Sequence, residues 1–173
     1  MNNDIAFFIV SFSTLFTLIN PIGIMPIVLS LTENTDSKVY HKIIIKAIFL
    51  AGIILMIFAL MGKLIFSFYG ITINAFRIVG GFIFFRIGLN MLESKVSRMK
   101  ATPKEEEEAH QKEVFAFTPF AIPMIAGPGS ITSAMILSAN SQNYVDKFVF
   151  ITMLILTLLI TYLIFQTSKD PKY

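Results

Sequence analysis

Residues 50–62 read LAGIILMIFALMG, thirteen consecutive positions without a charge or a hydrogen-bonding side chain. A surface helix of a water-soluble protein keeps a polar face, and a strand of a membrane barrel alternates polar with apolar residues. This stretch does neither. It is apolar all round, the pattern of a helix that meets lipid, and it lies within a longer run, from about residue 45 to residue 69, that exceeds the ~20 residues needed to cross a bilayer as a helix. The surrounding composition agrees. Of 173 residues, 55% are hydrophobic and 14% charged, with 18 Phe, and the charges gather in a few segments between apolar runs. The chain reads as an all-α integral membrane protein.

Five apolar runs follow from this reading: residues 5–31, about 45–69, 73–92, 114–139 and 148–165. The connections are TENTDSKVYHK, a tight FYGIT, the long polar ESKVSRMKATPKEEEEAHQKE, NSQNYVD and the tail QTSKDPKY. The long connection divides the chain into a first three-span unit (1–92), a linker (93–113) and a second unit of two spans and a tail (114–173). MNND has no Lys or Arg, and no small-residue cleavage site interrupts the first run, so that run is expected to stay as a span.

Lys38, Lys42, Lys46, Lys95, Arg98, Lys100, Lys104, Lys112, Lys169 and Lys172 fall on one side of such a topology. The other side has only Lys63 and Lys147, with Arg77 inside the third run near it. The positive-inside rule makes the first side cytoplasmic and puts the N-terminus outside. The net charge of +3 needs no nucleic acid to explain it. With no cysteine, the chain has no disulfide, thiol nucleophile or thiolate metal site. His41 and His110 lie in polar connections without a second ligand at metal spacing and read as solvent-exposed. Glu105 to Glu108 read as a solvated face of the linker. No Gly-Lys-Ser/Thr phosphate loop and no catalytic constellation are present, so the sequence points to neither ATP-driven pumping nor an enzyme, and it calls for no cofactor.

The first and fourth runs hold the strongest anomaly. INPIGIMP carries Pro21 and Pro26, and IPMIAGPG carries Pro123 and Pro128, each pair five positions apart. A shift of 102 residues superimposes both pairs and lays the second run on the fifth. If units of three spans repeat, an odd number turns the second unit over in the membrane, giving the inverted 3+3 repeat of many secondary transporters. The same shift calls for a sixth span matching residues 73–92 and starting after residue 173. The expected architecture is therefore five transmembrane helices with the sixth span missing, and an unmatched fifth helix invites packing against another copy.

NPIGIMP in the first run, RIVGGFIFFRIGLNML in the third and IPMIAGPGSIT in the fourth resemble the MarC family of bacterial inner-membrane proteins, over the whole chain. The resemblance implies a six-span protein related in architecture to amino-acid exporters, some members looking like carriers of small neutral amino acids. This chain departs from that pattern in ending after five spans.

Runs one and four would be roughly 40 Å long as straight helices, longer than the hydrocarbon core. The proline pairs suggest two half-helices joined by non-helical backbone in each, which membranes tolerate only where protein or water satisfies the freed groups. In the fourth run the second half-helix is expected to start near Ser130, offering N–H groups of Gly129 to Thr132 and a positive dipole end to a carboxylate. Asn20 would supply an amide in the corresponding place. The candidate substrate-binding residues are Asn20, Pro21, Gly23, Pro26, Pro123, Gly127, Pro128, Gly129, Ser130 and Thr132, together with Arg86 and Asn90 as a polar cluster facing the bundle from the third run. Two functions compete: a secondary transporter of small neutral solutes such as amino acids, and a noncatalytic membrane scaffold that binds partners through its linker. The carrier needs a hydrated cavity at Asn20, Ser130 and Thr132; the scaffold packs them dry.

Overall fold

A computed structural model describes residues 2–32, 35–70, 72, 74–75, 78–79, 81–82, 85–86, 89, 124–141 and 143–168. Among these residues the regular structure is helical, with no strand. Five continuous helices follow in order: α1 (Asn2–Ile19), α2 (Pro21–Leu31), α3 (Ser37–Phe68), α4 (Pro128–Asn140) and α5 (Tyr144–Ser168). The described residues between Asn74 and Leu89 are helical and exposed. Among the described residues three stretches are long and apolar enough to cross a membrane: Ile5–Leu29, which runs through α1 and α2, Ser37–Gly62 and Tyr144–Ser168. Of the remaining expected spans, 73–92 falls largely outside the described residues, and 114–139 is described from Met124 onward.

The helices are apolar on both faces. On α3, Tyr40, Ile44, Ala47, Ala51, Leu55 and Ala59 point inward at helical spacing, while Phe49, Ile53, Ile57, Leu60 and Leu64 point outward. Phe49 is 70% exposed and Leu60 and Leu64 are each 68% exposed. A stripe of that size facing water would aggregate; facing lipid it costs nothing. α5 repeats the pattern, with Phe150, Leu154, Thr157, Thr161 and Phe165 inward and Ile155, Leu159 and Leu163 outward.

α5 packs against α1, α2 and α3, and α4 packs against α3 and α1. Small residues on α3 set the close approaches. A methyl group at Gly52 would stand 3.0 Å from Cδ1 of Leu158, and one at Gly62 would stand 3.4 Å from the Met135 side chain. α3 and α5 run antiparallel: the start of α3 meets the end of α5 through Tyr40 and Phe165, and Met56, Ala59 and Leu60 surround the first turns of α5 at Lys147, Phe150 and Ile151.

Two boundaries differ from the sequence reading. α3 begins at Ser37, eight residues before the expected start of its span, because Tyr40 and Ile44 already belong to its buried stripe. Lys38 and Lys42 therefore lie on helix rather than in a loop. α5 begins at Tyr144, where the Asn143 side chain accepts the Asp146 N–H at 2.7 Å and closes the first turn.

Candidate functional site

A helix starts at each of the two expected places, α2 at Pro21 and α4 at Pro128. In the first, Asn20 separates α1 from α2 with φ of +48°, a left-handed backbone that asparagine tolerates better than other residues with a side chain. Pro21 then opens α2 as its first residue, where the missing N–H is no loss. The Asn20 side-chain oxygen accepts the Gly23 N–H at 3.2 Å, so the residue caps the helix it starts. Gly23 is required by this arrangement, since a Cβ there would collide with the Asn20 amide. By residue count the junction lies inside the Ile5–Leu29 span, about 22 Å from its start and about 14 Å from its end.

Pro26 does not act as expected. It is exposed within a continuous α2, so no non-helical segment runs from Pro21 to Pro26. The ring faces away from the bundle. The Asn20 side-chain oxygen is committed to the cap, so of that amide the NH2 group alone is left to meet a solute.

At the second junction, Met124 and Ile125 end a π-helical turn, Ala126 bends, and Gly127 in extended backbone (φ −73°, ψ 173°) precedes Pro128, the first residue of α4. The helix thus starts two residues before the expected Ser130, because proline in first position fixes the helical φ. Met124, Ile125 and Ala126 are buried, as are Gly129, Ser130 and Thr132. The Ser130 hydroxyl donates to the carbonyls of Ile125 at 2.7 Å and Gly127 at 3.1 Å, folding the turn against the helix start. The Ile131 N–H bonds the Gly127 carbonyl at 3.0 Å and begins the helical ladder. The free donors are accordingly fewer than the sequence suggested: Gly129 and Ser130 N–H, not the run to Thr132. No side chain caps them.

Pro123 and Asn90 lie outside the described residues. Arg86 is exposed, and no partner for it is described. Two pairs of helix starts lie 107 positions apart: Pro21 and Pro128 open α2 and α4, and Ser37 and Tyr144 open α3 and α5.

Three features escaped the sequence. The hydroxyl oxygens of Ser11 on α1 and Ser133 on α4 are buried without a hydrogen-bond partner. His41 is half-buried rather than solvent-exposed: its Nδ1 meets the Gln166 amide oxygen at 2.7 Å and its Nε2 meets the Tyr162 hydroxyl at 3.1 Å. The Tyr-His pair at residues 40–41 signalled a polar aromatic junction, but its partners stand more than a hundred residues away.

Apolar faces turned outward, spans of membrane length and helices that open inside the bundle define an integral membrane protein with broken helices. The profile of the MarC family of integral membrane proteins matches residues 5–170, and the chain belongs to that family. It is 39% identical to a UPF0056 membrane protein of Methanocaldococcus jannaschii over 94% of its own length and 71% of the relative's. A second protein of that name from the same organism is 39% identical over 96% of this chain and 81% of the relative. The UPF0056 membrane protein YvbG of Bacillus subtilis is 39% identical over 80% of this chain and 66% of its own length. No solved structure matches the chain.

Proposed function

We propose that the protein is a noncatalytic secondary transporter that moves small neutral solutes, amino acids among them, by alternating access across the bacterial inner membrane. The observation that carries this reading is the pair of proline-opened helices, α2 and α4, starting inside the bundle. Broken helices expose backbone polarity at membrane depth, which is tolerated where it lines a path or a binding site. Their relation supports a repeat of inverted topology. The 107-residue shift pairs α2 with α4 and α3 with α5, and α3 and α5 run antiparallel, as equivalent helices of an inverted repeat must. Packing follows the same exchange, α2 against α5 and α4 against α3.

In this reading the solute is met at the two junctions, by Asn20, Pro21 and Gly23 on one side and by Gly127, Pro128, Gly129, Ser130 and Thr132 on the other. Arg86, Asn90 and Pro123 act as outlying contacts; Pro26, exposed on α2, does not. The N-terminus faces outward and residues 93–113 face the cytoplasm. The test is uptake of radiolabelled small neutral amino acids by proteoliposomes carrying the purified protein, with and without an imposed ion gradient. Accumulation above protein-free vesicles is expected; equal counts across the panel would refute transport of this class.

A further inference from the structure

The two proline-opened helices differ in one respect. α2 is capped by the side chain of its own preceding residue, Asn20. α4 is preceded by Gly127, which has no side chain to offer, and the N–H groups of Gly129 and Ser130 find no acceptor among the described residues. Both residues are buried. An open helix start in water is satisfied by solvent; one buried in an apolar bundle leaves its donors in want of an acceptor.

A second observation points to the same place. Buried hydroxyls in apolar helices normally return their proton to the carbonyl four residues earlier. Ser141, Thr157 and Thr161 do so, at 2.9, 2.7 and 2.8 Å. Ser133, only 2% exposed, does not, and its hydroxyl has no partner. It follows Gly129 by four residues and Ser130 by three, which puts it on their face of α4. Helix side chains lean toward the N-terminus, which sets this hydroxyl on the side of Gly129 and Ser130. The Ser130 hydroxyl cannot fill the gap, being held by the Ile125 and Gly127 carbonyls.

We infer that the start of α4 is a seat for a carboxylate, held by the N–H groups of Gly129 and Ser130 and the hydroxyl of Ser133. The inference rests on the transport reading only for how the solute arrives. Three neutral donors and the positive end of a helix suit a single negative charge. No Lys or Arg lies on α4. A divalent anion such as phosphate would be stripped of water here without a counter-charge, which disfavours it. Met124, Ile125 and Ala126 before the helix and Ala134 on it are buried and apolar, which favours a ligand whose remainder is short and uncharged.

The test measures binding to the purified protein in lipid nanodiscs by calorimetry, with propionate, propionamide, L-alanine and inorganic phosphate as probes. Propionate and L-alanine are expected to bind, propionamide and phosphate not. Ser133→Ala removes a hydroxyl that has no partner in the empty protein, so it should fold at least as well as the parent and bind propionate about tenfold more weakly. Gly127→Ser gives α4 a cap of its own, and should raise thermal stability while reducing propionate binding by more than that. Equal propionate affinity in parent and both variants, binding of propionamide or phosphate as tight as that of propionate, or no carboxylate binding at all would each overturn the assignment. Propionate binding that weakens in the variants, beside proteoliposomes that move no solute, leaves the seat standing and removes the transporter. L-alanine uptake that is the same in all three proteins does the reverse.

Discussion

The Tyr40 hydroxyl donates to the backbone carbonyl of Phe165 at 2.7 Å, joining the first turn of α3 to the last turns of α5 across 125 residues of sequence. One residue on, His41 adds its two ring nitrogens. With the Gln166 amide oxygen facing it, Nδ1 donates, and Nε2 accepts from Tyr162. Both residues leave the opening turns of α3 for the same stretch of α5, and three hydrogen bonds close that end of the pair.

Removing the Tyr40 hydroxyl should loosen this junction without emptying it. Tyr40→Phe keeps the buried ring, 2% exposed, and deletes one hydrogen bond, so the expected cost is about 1 kcal/mol. Tyr40→Ala also empties the ring's site and should cost roughly 3 kcal/mol or more. Reversible unfolding in mixed micelles against increasing denaturing detergent measures both; a Tyr40→Phe protein as stable as the parent would remove the bond from the account.

Asn20 and Gly23 form a coupled pair at the first junction. Asn20→Gly preserves the left-handed backbone and loses the cap, which should cost a few tenths of a kcal/mol. Asn20→Leu loses the cap and also places a branched side chain at φ +48°, and should cost about 2 kcal/mol. Gly23→Ala forces the Asn20 amide aside and should resemble Asn20→Leu more than Asn20→Gly. The ranking can be read from the same unfolding curves. A Gly23→Ala protein indistinguishable from the parent contradicts it.

Ser11 has a buried hydroxyl without a partner. Ser11→Ala should therefore leave stability unchanged or raise it by up to about 1 kcal/mol, where most buried polar deletions lower it. A clear loss of stability would mean the hydroxyl is paired in the membrane.

Sidedness can be tested cleanly because the chain contains no cysteine. A single cysteine at Glu106, in the basic-flanked linker, should resist a membrane-impermeant maleimide in intact cells and react once the cells are opened. Ready labelling of intact cells would reverse the orientation drawn from the lysine and arginine count.

Class and breaks were legible in the sequence because they rest on local chemistry. An all-round apolar run such as residues 50–62 has few homes outside a bilayer, and Asn20-Pro21 and Gly127-Pro128 each stop a helix by their own backbone preferences. Pro26 misled because a proline inside a helix only removes one hydrogen bond and tilts the axis; it need not open the chain. The helix starts Pro21 and Pro128 stand 107 positions apart, a spacing that counting prolines in pairs does not bring out. The Asn20 cap was not legible, since an amide in an apolar run reads as a whole ligand until its own helix is seen to take the oxygen. His41 and Ser133 were out of reach for a different reason. Whether a histidine is solvated or a hydroxyl is left unpaired depends on which helix lies opposite, and that is decided by partners far away in sequence.

The Tyr40 junction has a mechanical consequence. α3 and α5 are tied by directional bonds at one end, while around Met56, Ala59, Leu60, Lys147 and Phe150 they enclose a cavity of about 180 Å³ with no described side-chain hydrogen bond between them. Such a pair behaves like tongs with a riveted joint. Prising the tips apart trades one set of greasy contacts for another, a small expense in lipid, whereas shifting the rivet breaks hydrogen bonds with no water at hand to replace them. Stiffness is graded along the two longest helices, and any flexing they share is concentrated at the tips.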